Sequence, residues 1–436
     1  MNQNTATIIL AAGKGTRMKS NIPKVLHKIA NKSMINHVID ACVASDITVV
    51  IGPDMPEMID AVAPHKTAIQ QQQLGTGDAV KAAQEVLKDH DGYVFILNGD
   101  GPFITSETLN ALYQSAQQTG LAVLGCDFED PSGYGRFVIK DDFVTEIIEE
   151  KDCTPDQRDI TIANAGIYCV RGQKLFGWLE QLSNDNAQGE YYLTDIVSIA
   201  ASDGVQCSYS LAGETEVMGI NSREQLAEAE FIMQCELRYR AMQSGVTMTD
   251  PDSVFLSVDT QFGMDVVIEP NVFIGSGVRV GNNTHIHAFS HIEGTAIGDN
   301  ASIGPFARIR PKSKIGNNVT VGNFIEVNRS VFKDGAKSKH LSYIGDAIIG
   351  EKSNIGAGTV FANYDGFNKH VSKTGEGVFV GSNSTIVSPV DIGAGAMIAA
   401  GSTITRDIES DALAVAREKE FVRNGWARDY RDKNKK

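Results

Sequence analysis

From about residue 250 onward, aliphatic side chains recur at every sixth position. Ile268, Ile274, Val280, Ile286 and Ile292 begin the series, and after a one-residue slip Ile297, Ile303, Ile309, Ile315, Val321 and Val327 extend it. Ile349 and Ile355 continue it, and Val380, Ile386, Ile392, Ile398 and Ile404 close it. Glycine often follows, as in Ile274-Gly275 and Ile392-Gly393. This period matches neither a helix nor a simple alternating strand. It matches a parallel β-helix, where each hexapeptide is one flat face of a triangular coil and the aliphatic residue points inward. At about eighteen residues per coil, the segment holds roughly seven or eight coils stacked about 4.8 Å apart. Such prisms are left-handed, against the usual crossover rule. The period breaks at about 332–343 and 361–376, which are expected to leave the prism as loops.

The first half follows another pattern. Residues 1 to about 221 alternate short apolar runs with amphipathic stretches, as in a Rossmann-like α/β fold with a mixed, mostly parallel sheet. Ile8–Leu10, Thr48–Ile51, Val94–Leu97 and Ala122–Leu124 are expected strands, and Thr76–Leu87 and Ser106–Gln118 expected helices. Ser222-Arg-Glu-Gln225 has the form of a capping box opening a helix to about Ser244. The expected organisation is a nucleotide domain over 1–221, a linker helix over 222–249, the prism over 250–405 and a tail over 406–436.

Composition narrows the functional classes. The formal net charge of −15 argues against a nucleic-acid surface. The six cysteines are scattered without a Cys-x-x-Cys pair, which suits reduced thiols in a cytosol. No apolar run approaches a membrane span, and Ala6–Leu10 runs into a glycine loop and reads as a buried strand. A cytoplasmic protein is expected.

In the first half, Leu10-Ala11-Ala12-Gly13-Lys14-Gly15-Thr16-Arg17-Met18 follows a strand and precedes Pro23-Lys24. Glycines there let backbone N–H groups approach a nucleotide, while Arg17 and Lys24 supply charge. The string resembles the signature of sugar-phosphate nucleotidylyltransferases. That resemblance places Leu10, Ala11, Ala12, Gly13 and Lys24 at the nucleotide, and Gln70, Gly75 and Thr76 of Gln70-Gln-Gln-Gln-Leu-Gly-Thr-Gly77 at uracil. It makes Asp100, at the end of an apolar strand, and Asn221 ligands of Mg2+. Gly135, Glu149 and Asn164 fall at sugar-binding positions. The resemblance also implies that Arg17 and Lys24 act in catalysis, with UTP as a substrate.

The second half carries Ala307-Arg-Ile-Arg310-Pro, Gly322-Asn-Phe-Ile-Glu326, His340-Leu-Ser-Tyr343, Asn354-Ile-Gly-Ala357 and Asn363-Tyr364-Asp-Gly. With the first half, these closely resemble the bifunctional N-acetylglucosamine-1-phosphate uridylyltransferase/glucosamine-1-phosphate N-acetyltransferase family of cell-envelope sugar-nucleotide synthesis, over nearly the whole chain. An amine must lose a proton to attack a thioester, and histidine suits that task near neutral pH. The resemblance assigns it to His340. It puts Arg310, Asn328, Tyr343 and Asn354 at the sugar phosphate, and Ala357, Asn363, Tyr364, Ser382, Ala400 and Arg417 at acetyl-CoA. It also implies homotrimeric prisms; the tail from about Arg406 onward either crosses to a neighbouring chain or is a disordered basic end.

The chain departs from that pattern at Asn328, where the family usually has lysine for the substrate phosphate. Arg329 follows, but adjacent strand residues point to opposite faces. Smaller departures are Asn98 for an aromatic residue and Ala165 for a hydroxyl residue. Two rival readings stay open on sequence: a nucleotidylyltransferase whose prism only trimerises, and a non-catalytic scaffold.

Overall fold

The apolar runs of the first half read as continuous because their sheet is covered on both faces. The computed structural model describes residues 4–44 and 46–435. The sheet strands are Thr5–Leu10 (β1), Asp46–Ile51 (β2), Lys66–Ile69 (β3), Tyr93–Asn98 (β4), Leu121–Asp127 (β5), Arg136–Lys140 (β6), Phe143–Ile148 (β7), Ile162–Arg171 (β8) and Cys207–Leu211 (β9). Among the described residues their order is β3-β2-β1-β4-β8-β5-β9-β7-β6. The first four are parallel, and β8 runs antiparallel between β4 and β5. Ile8 packs into a cluster containing Trp178 on one face, while Ile9 packs with Tyr113 on the other. Because β1 lies between β2 and β4, with Leu10 opposite Val50 and Asn98, three C-terminal strand ends open on one edge. Open α/β sheets bind ligands at that edge.

The helix expected over 76–87 is divided into Thr76–Lys81 and Gln84–Leu87. Ala83, at φ −86° and ψ 0°, sits between them in the bridge region and interrupts the helical run. A longer helix, Arg223–Gln243, crosses the division between two compact units, Met1–Ile232 and Met233–Lys436.

The second unit is a left-handed parallel β-helix. Its three faces hold ten, eight and eight short parallel strands among the described residues, from Thr247–Met248 to Leu413–Ala414. The six-residue spine Ile268 to Ile404 forms one buried column. At the first coil, Gln234 acts as a backbone partner would. Its Oε1 accepts from Leu256 N at 2.8 Å and its Nε2 donates to Leu256 O at 2.7 Å.

Residues 332–343 do not leave the prism, contrary to expectation. Val331–Phe332, Lys337–His340 and Tyr343–Gly345 stay in parallel register with the coils on either side. Phe332 and Ser338 occupy the inward positions, 1% and 0% exposed, so an aromatic and a hydroxyl residue hide a coil from an aliphatic count. The second interruption is an excursion, narrowed to 363–371 between Val360–Ala362 and Ser372–Thr374, with Tyr364 bridged antiparallel to Lys369.

One prism corner repeatedly takes left-handed backbone, and three of its residues are Phe289, Phe306 and Phe324, with φ of 60°, 56° and 55°. That conformation disfavours bulky side chains. Their rings nonetheless stack along the prism, centroids 4.9 Å apart at both steps, each about half exposed. Among the described residues no helix is long and apolar enough to cross a membrane.

Candidate functional site

A cleft of about 600 Å³ opens at the strand-end edge of the first unit. Leu10, Ala11, Ala12, Gly13, Arg17, Lys24, Gln70, Gly75, Thr76, Asp100 and Asn221 all border it. Gly15 has φ +57°, and a Cβ there would meet Lys24 Cβ at 2.6 Å, so glycine lets the loop run against that lysine. Ile220 N donates to Asp100 O at 3.0 Å, drawing the Asn221 segment onto the end of β4.

Lys24 joins the two expected metal ligands. Its ammonium pairs with the Asp100 carboxylate and donates to Asn221 Oδ1 at 2.9 Å. Asn221 is held in turn by Gln225, whose Oε1 accepts from Asn221 N at 2.8 Å, while Gln225 N donates to Ser222 Oγ at 3.3 Å. The capping box is thus displaced by one residue: its return arm reaches Asn221. A carboxylate and a carboxamide oxygen are hard donors of the kind Mg2+ prefers, and both already converge on a cation. The residues present fit that ion. Arg17 is exposed and forms no ion pair among the described residues.

Gln70 is buried, and its Nε2 donates to Gly75 O at 3.1 Å and Asp78 Oδ2 at 2.8 Å. This turns its remaining oxygen into an acceptor for a ligand N–H. Gly75, at φ +116°, packs where a Cβ would lie 2.7 Å from Tyr191 O. Thr76 Oγ1 accepts from Leu193 N at 3.1 Å and ties the helix start to a neighbouring segment.

Gly135, Glu149 and Asn164 do not border the cleft. Asn164 N donates to Gly135 O at 2.7 Å, and Asn164 Nδ2 donates to Tyr168 Oη at 2.8 Å. Thr194 Oγ1 donates to Glu149 Oε1 at 3.2 Å. Burial raises the Glu149 carboxyl above its ordinary value, outweighing the Thr194 bond, and nearby Asp195 adds to the rise. Sequence reasoning did not give Gln73, Glu190 or Gln225 a binding role, and all three border the cleft. For Gln225 the signal was the capping box itself.

On the prism, Asn323 and His340 are paired across adjacent coils. His340 Nδ1 donates to Asn323 Oδ1 at 2.8 Å, which leaves Nε2 as the basic nitrogen of an exposed imidazole. Asn323 was not singled out from sequence, although coil neighbours lie one repeat apart. Arg310 Nη1 donates to Glu326 Oε1 at 2.9 Å. Asn328 is buried, and its Nδ2 donates to Tyr343 Oη at 3.3 Å.

Arg329 does not point away from Asn328, as strand alternation had implied. It sits just past the strand end with φ 49°, at a corner, and its Nη1 donates to Asn328 Oδ1 at 3.1 Å. Its Nε and Nη2 fork onto the Asp346 carboxylate at 2.7 and 2.6 Å. Asp346 also accepts from Asn363 Nδ2. Burial alone would raise the Asp346 carboxyl, but the Arg329 and Asn363 bonds outweigh it and hold it below the usual 3.8. A continuous polar chain therefore runs from Tyr343 through Asn328, Arg329 and Asp346 to Asn363 at the base of the loop.

Asn354 lies in Asn354–Ile355, partly exposed on the coil that pairs with Lys337–Ser338. Tyr364 is exposed at the loop, its hydroxyl donating to Gly366 O. Ala357, Ser382 and Ala400 follow one another on consecutive coils: Asn383 N donates to Ala357 O at 2.7 Å and Gly401 N to Ser382 O at 2.8 Å. A Cβ on Gly401 would lie 3.8 Å from Arg417 Cδ, so Arg417 extends the same row.

Residues 7–192 match the MobA-like NTP transferase domain. Residues 259–294 and 372–406 match the bacterial transferase hexapeptide (six repeats), and 291–367 match the GMPPB C-terminal domain. The curated relatives include proteins named bifunctional protein GlmU. That of Rhodospirillum rubrum is 48% identical over 433 residues, covering 98% of this chain and 97% of its own. That of Parvibaculum lavamentivorans is 48% identical over 436 residues, covering 98% and 96%. That of Paramagnetospirillum magneticum is 44% identical over 432 residues, again covering 98% and 96%.

Proposed function

From the premise that this chain belongs to the bifunctional GlmU family, we propose how its residues divide two reactions between two sites. The chain is both a uridylyltransferase and an N-acetyltransferase. The prism acetylates glucosamine 1-phosphate with acetyl-CoA, and the nucleotide domain joins the N-acetylglucosamine 1-phosphate to UMP from UTP, releasing pyrophosphate.

In uridylyl transfer, a phosphate oxygen of N-acetylglucosamine 1-phosphate attacks the α-phosphorus of UTP and pyrophosphate leaves, with no covalent protein intermediate. The glycine loop brings backbone N–H groups to the nucleotide, and Gln70 offers its free oxygen to uracil N3–H. Arg17 and Lys24 neutralise charge that builds on the phosphates. Asp100 and Asn221 would hold Mg2+, which would supply positive charge to offset that of the phosphates. Gly135, Glu149 and Asn164 support the sugar end.

In acetyl transfer, His340 Nε2 takes a proton from the amine as it attacks the thioester carbon. The tetrahedral intermediate collapses, the C–S bond breaks, and the CoA sulfur leaves to be protonated. Arg310 and Arg329 hold the sugar phosphate, Arg329 supplying the cation that Asn328 cannot. Tyr343 and Asn354 orient the sugar. Ala357, Asn363, Tyr364, Ser382, Ala400 and Arg417 receive acetyl-CoA. The observation that carries the bifunctional reading is the His340–Asn323 pair, because a prism used only for assembly has no need of an imidazole held in one tautomer. Asn328 favours the rival in which the prism only assembles chains; Arg329, at the adjoining corner, supports the bifunctional reading as a neighbouring cation, with its Nε and Nη2 engaged by Asp346.

The chain acts as a cytoplasmic homotrimer. The stacked Phe289, Phe306 and Phe324 rings present an apolar ridge for a second copy. Exposed Phe421, Val422 and Trp426 of the tail likewise suit a neighbouring chain. His340→Ala should abolish thiol release from acetyl-CoA and spare UDP-sugar formation, and Asp100→Ala should do the reverse. Equal loss of both activities in either folded variant would refute the two-site reading.

A further inference from the structure

Three residues on the outer surface of the first coils remain unused by either reaction. Glu269 follows the strand Val267–Ile268, and His285 and His287 flank Ile286 on the next coil, with the two strands in parallel register. Residues two apart on a strand share a face, and the two imidazoles stack at 4.0 Å. All three side chains keep partial access to solvent.

The donor atoms are aimed at one another. Glu269 Oε2 accepts from Ala288 N at 3.0 Å, which fixes the carboxylate and leaves Oε1 facing the histidines. Oε1 lies 2.9 Å from His287 Nδ1 and 2.9 Å from His285 Nε2. On its far side, the His287 ring bonds Ser302 Oγ through Nε2 at 3.0 Å. Because a carboxylate only accepts, Nδ1 donates to Glu269 Oε1 in the metal-free site and Nε2 accepts from the Ser302 hydroxyl, so an ion would take the place of the Nδ1 proton. His285 Nε2 is closed off from solvent and out of line for a hydrogen bond, so among the described residues it has no such partner. The three ligand atoms all lie within 4.8 Å of one another.

We propose that Glu269, His285 and His287 bind one divalent transition metal of the zinc class and clip the first coils of the prism together. Two imidazole nitrogens and one carboxylate oxygen are the donors Zn2+ accepts, with water free to fill a fourth position. Mg2+ and Ca2+ favour all-oxygen sets and suit this cluster poorly. With the ion on Nδ1, Nε2–H would donate to Ser302 Oγ, the outer contact that a metal-ligating imidazole ordinarily makes. Glu269 comes from one coil and both histidines from the next, so the ion would add a metal link between neighbours already joined by ladder bonds, packing and the Glu269 hydrogen bonds.

The test uses the full chain, stripped with a chelator and kept in excess Mg2+. Titration with Co2+ should saturate at one ion per chain, with the strong visible absorption of a low-coordinate site, and equimolar Zn2+ should displace it. His285→Ala and His287→Ala should abolish this uptake, and Ser302→Ala should weaken it by about 10- to 100-fold. Zn2+ at a hundredfold excess over Kd should raise the unfolding midpoint of the prism by about 5–10 °C in the parent and not in the histidine variants. Acetyl transfer at the parent level reports that the variants are folded. Absence of saturable Co2+ uptake, or uptake that survives both histidine substitutions, overturns the proposal and leaves the cluster a hydrogen-bonded surface group.

Discussion

Asn323 is the sharpest place to test how the prism makes an amine nucleophilic. Its side chain accepts from His340 Nδ1 at 2.8 Å, and the two residues stand on paired strands of adjacent coils. Asn323→Ala removes that acceptor without emptying the core. A single hydrogen bond of this kind is worth about 0.5–1.5 kcal/mol, which converts to about a two- to thirteenfold fall in kcat. His340→Ala, by contrast, removes the base and should cost about 100- to 10,000-fold. Asn323→Asp tests the electrostatics: a carboxylate beside the imidazole favours its protonated form, so the acid limb of the kcat/KM profile should move to higher pH. The assay follows CoA thiol release against pH at saturating acetyl-CoA. A parent-like kcat in Asn323→Ala together with an unmoved acid limb in Asn323→Asp would refute the orientation argument.

Other consequences can be checked alongside. Arg329→Gln removes the charged donor proposed to hold the substrate phosphate and should raise KM for glucosamine 1-phosphate about tenfold or more, with uridylyl transfer unchanged; an unaltered KM would return the Asn328 deficit unsolved. Glu149 has its carboxyl raised by burial, so the folded state resists its ionisation and the domain loses stability as pH rises through that raised value. Glu149→Gln should therefore be more stable than the parent at neutral pH, the gap closing below the ordinary 4.5, and denaturant melts at several pH values would detect a gap of the opposite sign. Phe306→Glu places a charge in the middle of the ring ladder and should shift sedimentation from the proposed trimer toward monomer, with acetyl transfer falling and uridylyl transfer kept. A trimer that persists would place the subunit contact elsewhere on the prism.

The prism was legible because its core demands one aliphatic side chain per face, and that demand repeats in the sequence. It became illegible where Phe332 and Ser338 filled the same positions with other chemistry, so a counting rule mistook an intact coil for a loop. In the nucleotide half, strand ends and the glycine loop were readable from local signals. The break at Ala83 was not, since two alanines carry no mark of a helix end. The cleft residues with family-like spacing were easily named, but spacing could not reveal that Tyr134 and Ala165 border the cleft while their neighbours Gly135 and Asn164 do not. Arg329 was misjudged for a geometric reason: alternation holds within a strand, and this residue lies one step past the end of one. Asn323 needed only the repeat length, because coil neighbours are 17 residues apart there.

A column of coils has two open ends, and each presents unpaired backbone to any passing strand. Such arrays behave one-dimensionally: each layer feels only its neighbours, and an exposed terminal layer is a place for growth to continue. Gln234 answers this at the first layer by offering a primary amide in place of another strand's peptide group. The helix carrying it is therefore a stopper as well as a connector. Shortening that helix would leave the catalytic coils intact and expose a sticky terminus, and the resulting defect would be end-to-end polymerisation of otherwise folded protein.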